Sequence, residues 1–382
     1  MSPEHDDGPA VTLGLFDWVD SDGVRDAGQL YRERLDLLAD AEAHGFDIYH
    51  LAEHHGTPLG LVPSPSVFLA AAAVRTERIR LCPLVYVLPL YHPARLAEEI
   101  AMLDQLSGGR LEVGFGKGGN PYELLAYGVN PKEAQERYDG AFDAVMRTLS
   151  TGVIAAPAAA AGGAPGTAAD DAPGTAADGA PGTAADGAPL PMRTRQAPHP
   201  PLWYPSSNPR SVPGLGKRGI STILGFSFRS PTIEETRLRR DEFAAGVAAA
   251  PKAAMRGGAG TRIPRFGIMR NIYVGDSDGE ARERAVAAME VFYEQFTAVW
   301  RRHGDSRFTE QQDFARAIGE GRVIAGSAAT VRAQLTAMLR ASGANHFAGA
   351  FAFGSLSYAE SRSSLARFAG EVAPALRDLT PG

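Results

Sequence analysis

Strand-like apolar runs alternate with stretches of helical period along almost the whole of the 382-residue chain, and this alternation limits the fold more than any other feature. The apolar runs are Val11 to Trp18, Phe46 to Glu53, Ile79 to Val87, Arg110 to Lys117, Pro201 to Ser207, Ser221 to Phe228, Arg265 to Val274 and His346 to Phe353. Between them lie helical segments at Tyr31 to His44, Ser64 to Glu77, Pro93 to Gly108, Glu133 to Leu149, Arg210 to Arg218, Ile233 to Ala249, Glu280 to His303 and Thr330 to Ala341. Eight strands, each followed by a helix or a turn toward one, fit an α/β fold of the (β/α)8 TIM-like barrel type. A doubly wound sheet is the rival, but no break in composition separates a first half from a second. In a barrel, catalytic groups should lie just past the C-terminal ends of strands.

One segment stands outside this rhythm. Within Ala155 to Leu190 the pattern Gly-Ala-Pro-Gly-Thr-Ala-Ala-Asp runs three times, from Gly163, Asp171 and Gly179, with Asp171 replacing the glycine of the middle copy. The segment lacks bulky side chains to offset the entropy of ordering, so 155–190 is expected to be a disordered, flexible insertion in a single barrel domain spanning 11–382. Residues 1–10 are polar and acidic and are expected to be disordered, without the apolar stretch of a signal peptide.

The chain has 38 Lys+Arg against 44 Asp+Glu, and four of the aspartates lie in the repeat, so the remainder is nearly neutral. No basic excess points to nucleic acid or to an anionic membrane, and no apolar run approaches the roughly 18 residues of a spanning helix. Cys82 is the single cysteine, which excludes an internal disulfide and a Cys-rich metal cage; it reads as a buried strand residue, and a cytoplasmic setting is the default.

Just past the second strand stands Ala52-Glu53-His54-His55-Gly56. If the strand persists, His50, Ala52 and His54 share one face and Glu53 and His55 the other. An imidazole at this rim can exchange a proton near neutral pH; a pair of hydrogen-bonded structural histidines is the alternative. No metal is expected, because the ligand types lack a familiar spacing and adjacent strand residues point apart.

The fourth strand ends in Gly114-Phe115-Gly116-Lys117-Gly118-Gly119, a formal G-x-G-x-x-G. Its place in the fourth unit and Pro121 before the next helix argue against a dinucleotide fingerprint. What remains is a glycine-lined rim where backbone approaches a ligand and Lys117 meets an anion, or else a tight turn with a solvated lysine. Arg137 lies early in the following helix. Ser206 to Ser211, after the fifth strand, offers short polar side chains and free N–H groups to a phosphate, or simply caps a helix. The aromatics Phe292, Tyr293, Phe296 and Trp300 recur at helical spacing and read as core or subunit contact.

Together, Ala52 to His55, Leu88-Pro89-Leu90-Tyr91-His92-Pro93, Leu103-Asp104-Gln105-Leu106-Ser107-Gly108-Gly109-Arg110 and Gly114 to Lys117 resemble the bacterial luciferase-like flavin-dependent monooxygenase family. The resemblance is densest over Val11 to Leu149 and resumes at Pro201 to Phe228. It implies a barrel that binds reduced FMN from a separate flavin reductase and reacts it with O2 to a C4a-peroxyflavin, which oxygenates a small organic substrate. His54 matches the family's catalytic histidine, supported by His55 and Glu53, and the protein excludes water and orients the cofactor. Lys117 and Arg137 fall where phosphate-binding cations stand, Asn208 and Ser211 on the phosphate-binding turn. A non-proline cis peptide is implied near Leu84 and Val85, beneath the flavin ring, with Phe226 also touching it.

This chain departs from the luciferases proper in carrying Gly116 where they carry a reactive cysteine, and lysine for arginine at 117 gives up bidentate phosphate recognition. Light emission is not implied. Some relatives use the deazaflavin F420 and transfer hydride, and others are non-catalytic flavin-binding partner subunits; both readings stay open at this point. A homodimer is implied by analogy alone.

Overall fold

Eight parallel strands close on themselves in the computed structural model, which describes residues 11–154, 187–206, 208, 210–225, 230–251, 256–257, 260–261, 263–308, 310 and 312–379. The expectations for Met1 to Ala10, for 155–186 and for Phe226 lie outside the described residues. β1 (Thr12–Asp17) pairs with β2 (Ile48–Leu51), and β2 with β3 (Arg80–Pro83). β4 (Tyr86–Val87) continues β3 and pairs with β5 (Val113–Gly116), which pairs with β6 (Leu202–Trp203). A single bridge, Trp203 to Ser221, leads to β7 (Thr222–Leu224), which pairs with β10 (Phe266–Gly275). β12 (His346–Ala350) lies between β10 and β1 and completes the ring.

All eight expected strands are present, several shorter than the apolar runs suggested. The second stops at Leu51, and the third is interrupted between Pro83 and Tyr86, where the Leu84–Val85 peptide is cis. The alternation along the sequence shows which way side chains point, and it outlasts the hydrogen-bonded ladder by a residue or two at each end. Three features lie beyond the sequence reading. β11 (Ile324–Ser327) pairs with the far end of β10 outside the ring, β8 (Arg256–Gly257) and β9 (Gly260–Thr261) form a small hairpin, and α4 (Pro121–Ala126) inserts after β5.

Helices α1 (Ala27–Ala43), α2 (Pro65–Arg75), α3 (Pro93–Leu106), α5 (Ala134–Thr151), α6 (Val212–Lys217), α7 (Ile233–Ala248), α8 (Asp278–Arg302) and α10 (Ala328–Ser342) surround the ring. Their starts follow local chemistry: Asp26, Ser277 and Ser327 each accept a backbone N–H of the first turn, and Thr232 and Glu235 form a reciprocal capping box. Outward-facing Leu13, Leu15, Tyr49 and Leu51 bury against helix residues such as Leu37, Leu69, Ile100 and Leu335 in one continuous cluster. Each such side chain contributes roughly 1.5–3 kcal/mol on burial.

A second cluster fills the ring itself, with Phe16, Ile48, Cys82, Trp203, Ile223, Met269 and Ala348. Beside it lies a polar layer. His50 Nε2 is 3.0 Å from His346 Nε2, and His346 Nδ1 is 2.8 Å from Thr12 Oγ1. Glycine makes the space: a Cβ at Gly14 would come within 3.0 Å of both rings. Burial pushes His50 down to about 3 and His346 well below the usual imidazole range, so both rings are neutral. Glu112 is also fully buried, which would raise it, yet Arg265 and Arg80 hold it at about 2. The Cys82 thiol is buried and pushed up, as befits an inert strand cysteine.

The boundary expected for the insertion needs correction at its far end. Ala188 to Leu190 are tied to the end of α5: Ile154 N–H donates to Ala188 O at 2.8 Å, Leu190 N–H donates to Gly152 O at 2.8 Å, and Leu190 is buried. Leu190 is the one bulky side chain of the 36-residue unit, and burying it ties the segment down.

Candidate active site

His54 lies three residues past the end of β2, at the C-terminal mouth of the ring, with 23% of its side chain exposed. Its ring stacks on Trp18, the residue after β1, at 5.6 Å and 28°. Its Nδ1 is 3.1 Å from Oε1 of Glu123 on α4. Glu123 Oε1 also accepts a hydrogen bond from Asn120 Nδ2 at 3.0 Å, and Oε2 accepts the His55 backbone N–H at 3.3 Å. A carboxylate with three donors aimed at it acts as acceptor throughout, so the ring proton of neutral His54 sits on Nδ1 and the lone pair on Nε2.

His55 points the other way, as alternation requires. Its Nε2 donates to Glu53 Oε1 at 2.8 Å, and its Nδ1 lies 3.0 Å from the Tyr127 hydroxyl. Glu53 Oε2 in turn accepts the Tyr91 hydroxyl at 2.7 Å and the Val87 N–H at 3.3 Å. Burial pushes the Glu53 carboxyl up, against the hydrogen bonds from His55 and Tyr91 that favour its ionised form. With both nitrogens of His55 and both oxygens of Glu53 engaged, this pair braces the rim, while His54 Nε2 has no hydrogen-bond partner among the described residues.

Gly114 and Gly116 serve a purpose different from the one the glycine run suggested. A Cβ at Gly114 would lie 2.5 Å from the Pro83 carbonyl and 2.7 Å from Leu84 Cδ1; one at Gly116 would lie 2.5 Å from Val85 Cγ2. These glycines admit the neighbouring strand, and the approach to a ligand was the wrong partner to infer for them. Gly118, at φ +85°, is the residue whose conformation needs glycine, turning the chain from Lys117 toward α4.

The anion-binding candidates stand on the next exits round the ring. Lys117 is exposed directly after β5. Arg137, exposed on the first turn of α5, is ion-paired with Glu133 at 3.4 Å. Tyr138 beside it meets Tyr204 edge-on at 5.6 Å, which brings α5 against the segment leaving β6. There Asn208 Oδ1 accepts the Arg210 N–H at 3.0 Å, the Asn208 carbonyl accepts the Ser211 hydroxyl at 3.0 Å, and Ser206 and Ser211 hydroxyls are 2.8 Å apart. The structure thus gathers Glu53, His54 and His55 into one network and sets α5, which carries Arg137, against the segment that leaves β6 toward Asn208 and Ser211. No hydrogen bond joins the two groups among the described residues.

Four contributors were not singled out from sequence: Glu123, Tyr91, Tyr127 and Trp18. Glu123 had a signal, since Asn120-Pro121-Tyr122-Glu123 starts a helix with Asn as cap and Pro at its first position. Among the described residues no group of three His, Cys, Asp or Glu side chains is placed to hold a metal ion, and no helix is long and apolar enough to cross a membrane.

Comparison with known proteins supplies a family. Residues 11–346 match the luciferase-like monooxygenase family. An uncharacterized protein, y4wF of Sinorhizobium fredii, is 33% identical over 91% of this chain and 92% of its own. Limonene 1,2-monooxygenase of Rhodococcus erythropolis is 35% identical over a shorter stretch, 38% of each chain. Among solved structures, the monooxygenase RslO1 of Streptomyces bottropensis superimposes with a TM-score of 0.74 at 25% identity, covering 95% of this chain and 99% of its own. The fold is shared more widely. The FMN complex of 3,6-diketocamphane monooxygenase from Pseudomonas putida has a TM-score of 0.69 at 20% identity, over 98% of this chain and 100% of that one. The coenzyme F420-dependent tetrahydromethanopterin reductase of Methanopyrus kandleri has 0.61 at 18%, over 96% and 99%.

Proposed function

The chain belongs to the luciferase-like monooxygenase family, and from that premise we propose that it uses reduced FMN and O2 to oxygenate a small organic substrate. The observation that carries this reading is the His54–Glu123 pair at the mouth of the ring. With Glu123 holding Nδ1–H, the free Nε2 of His54 takes a proton from a ligand oxygen and returns it, which is the service oxygen chemistry needs at neutral pH. Trp18, which stacks on the His54 ring, and Phe292, which packs on Trp18, give that nitrogen an apolar flank.

The donor set fits a phosphorylated cofactor. Lys117 and Arg137 supply two cations, and Asn208 and Ser211 an amide and a hydroxyl, suited in charge and chemistry to the FMN phosphate. When bound, reduced FMN supplies the electrons that activate O2. A separate reductase delivers it, a reading supported by a 34% identical relative over 111 residues, the flavin-dependent trigonelline monooxygenase of Acinetobacter baylyi, which is named as an oxygenase component.

Anaerobic titration with reduced FMN and with reduced F420 is the test, followed by incubation of the FMN-loaded protein under 18O2 with candidate substrates. We expect saturable binding of reduced FMN, weakened at least tenfold in Lys117→Ala/Arg137→Ala, and one labelled oxygen in the product. Tight binding of reduced F420 with none of reduced FMN would replace this reading with hydride transfer; binding of reduced FMN with no label in any product would favour a non-catalytic flavin-binding subunit.

A further inference from the structure

By alternation, the inner face of β10 carries Gly267, Met269, Asn271 and Tyr273. Gly267 abuts the buried His346 ring, and Met269 and Tyr273 belong to the inner cluster with Trp18 and Leu84. Asn271, opposite Ala350, is the last residue of β10 paired to the ring before β10 passes on to β11. Its amide therefore faces inward at the mouth. The residue is 8% exposed, and its Nδ2 is buried without a hydrogen-bond partner among the described residues.

A buried amide left unmade is costly, and strands of ring interiors usually carry apolar residues at such a position. Ala348, Ala350 and Ala52, members of the same inner cluster, have no side-chain acceptor to offer that amide. β10 is the seventh strand round the ring and stands across from the third, which is interrupted at Leu84 and Val85, whereas Lys117, Arg137, Asn208 and Ser211 follow the fourth and fifth. The amide thus lies away from the phosphate side. A second buried amide borders the same mouth: Gln295 on α8 is 7% exposed, its Oε1 has no partner among the described residues, its backbone carbonyl accepts the Thr57 hydroxyl, and it lies one turn from Phe292, which packs on Trp18 at 5.8 Å.

We infer that Asn271 is a specificity-determining residue whose amide N–H donates to an acceptor oxygen on an otherwise apolar organic substrate. This rests on the oxygenase reading above and names the feature that its substrate must carry. The surrounding cluster accepts the hydrocarbon body, and the unmade donor selects molecules with a carbonyl or hydroxyl oxygen over isosteres without one.

The test uses a matched pair of probes, cyclohexanone and methylenecyclohexane, which differ by an oxygen for a CH2. Binding is measured by calorimetry on the full chain, anaerobically, with and without reduced FMN. We expect the ketone to bind at least tenfold tighter than the alkene, and Asn271→Leu to abolish that preference by weakening the ketone alone while raising Tm. Asn271→Ala gives the same comparison if the leucine variant does not fold. A wild-type protein without the preference, including one that binds neither probe, overturns the inference, as does a preference that survives both substitutions. Reduced FMN is titrated separately: failure to bind it strikes the oxygenase reading, while a flat ketone-to-alkene ratio in protein that does bind it strikes only Asn271.

Discussion

Glu123 accepts the Nδ1–H of His54 at 3.1 Å across a sequence separation of 69 residues, joining the exit of the fourth ring strand to that of the second. The carboxylate thereby fixes both the orientation of the imidazole and the nitrogen on which its lone pair lies.

His54→Ala should lower kcat by roughly 10²–10⁴-fold while leaving reduced-FMN affinity within about twofold, because a general acid-base is removed and no phosphate contact is touched. Glu123→Gln tests the orientation separately. A carboxamide cannot accept from His54 and Asn120 on one atom and from the His55 N–H on the other, so one donor faces an NH2. We expect a drop of roughly tenfold or more in kcat with KM little changed. A variant with wild-type kcat would show that Glu123 serves stability alone.

Beneath the mouth, Glu112 accepts from Arg80, Arg265 and Trp203 inside the ring wall. Burial alone would raise this carboxyl; the two guanidiniums hold it at about 2, below its ordinary 4.5. A carboxylate depressed by folding stabilises the native state above its unfolded pKa, and that stability is lost as pH falls through the folded value. The contribution is about 3 kcal/mol at pH 7 and should fade between about pH 4.5 and 2. Thermal unfolding of Glu112→Gln and wild type across this range should therefore show a gap that is widest at neutral pH and closes in acid. A gap independent of pH would mean that the substitution acts through packing alone.

Gly116→Ala places a methyl 2.5 Å from Val85 Cγ2, a short branched side chain that cannot swing away. We expect a destabilisation of about 1–3 kcal/mol by denaturant unfolding. Val85→Ala in the same chain removes the offending carbon and should restore most of the loss, a coupling that a double-mutant cycle measures directly. Additive losses would place the strain elsewhere.

The sequence carries the ring because each of its eight strands is a short apolar run bounded by a glycine, a proline or a capping residue. β11 escaped notice for a local reason. Ile324–Ser327 is only four residues long, and Ser327 ends the strand while also capping α10, so strand and helix signals overlap. Glu53, His54 and His55 were candidates from residue type and from their place just past the second strand, which ends at Leu51. The partner of His54 was not, since Glu123 meets it only through the closure of the ring. The glycines at 114 and 116 could be misread for the same reason: one segment announces that something comes close, and only the packed neighbour, Pro83 to Val85, shows what.

The two ends of the low-complexity insertion meet in a short antiparallel clasp, with Val153 bridged to Pro189 and Ile154 N–H donating to Ala188 O at 2.8 Å. Because the clasp itself supplies the hydrogen bonds, residues 155–186 can be replaced by an Asn-Gly turn that closes the same ladder. Loop closure then involves a chain roughly sixteen times shorter, four doublings at ~0.6 kcal/mol each, so the variant should be more stable by about 2 kcal/mol if the segment makes no compensating contacts. Calorimetry should accordingly find Tm unchanged or raised, and titration should find reduced-FMN affinity within about twofold of wild type. A lowered Tm would assign the segment a packing role, and a lost affinity would place it at the cofactor.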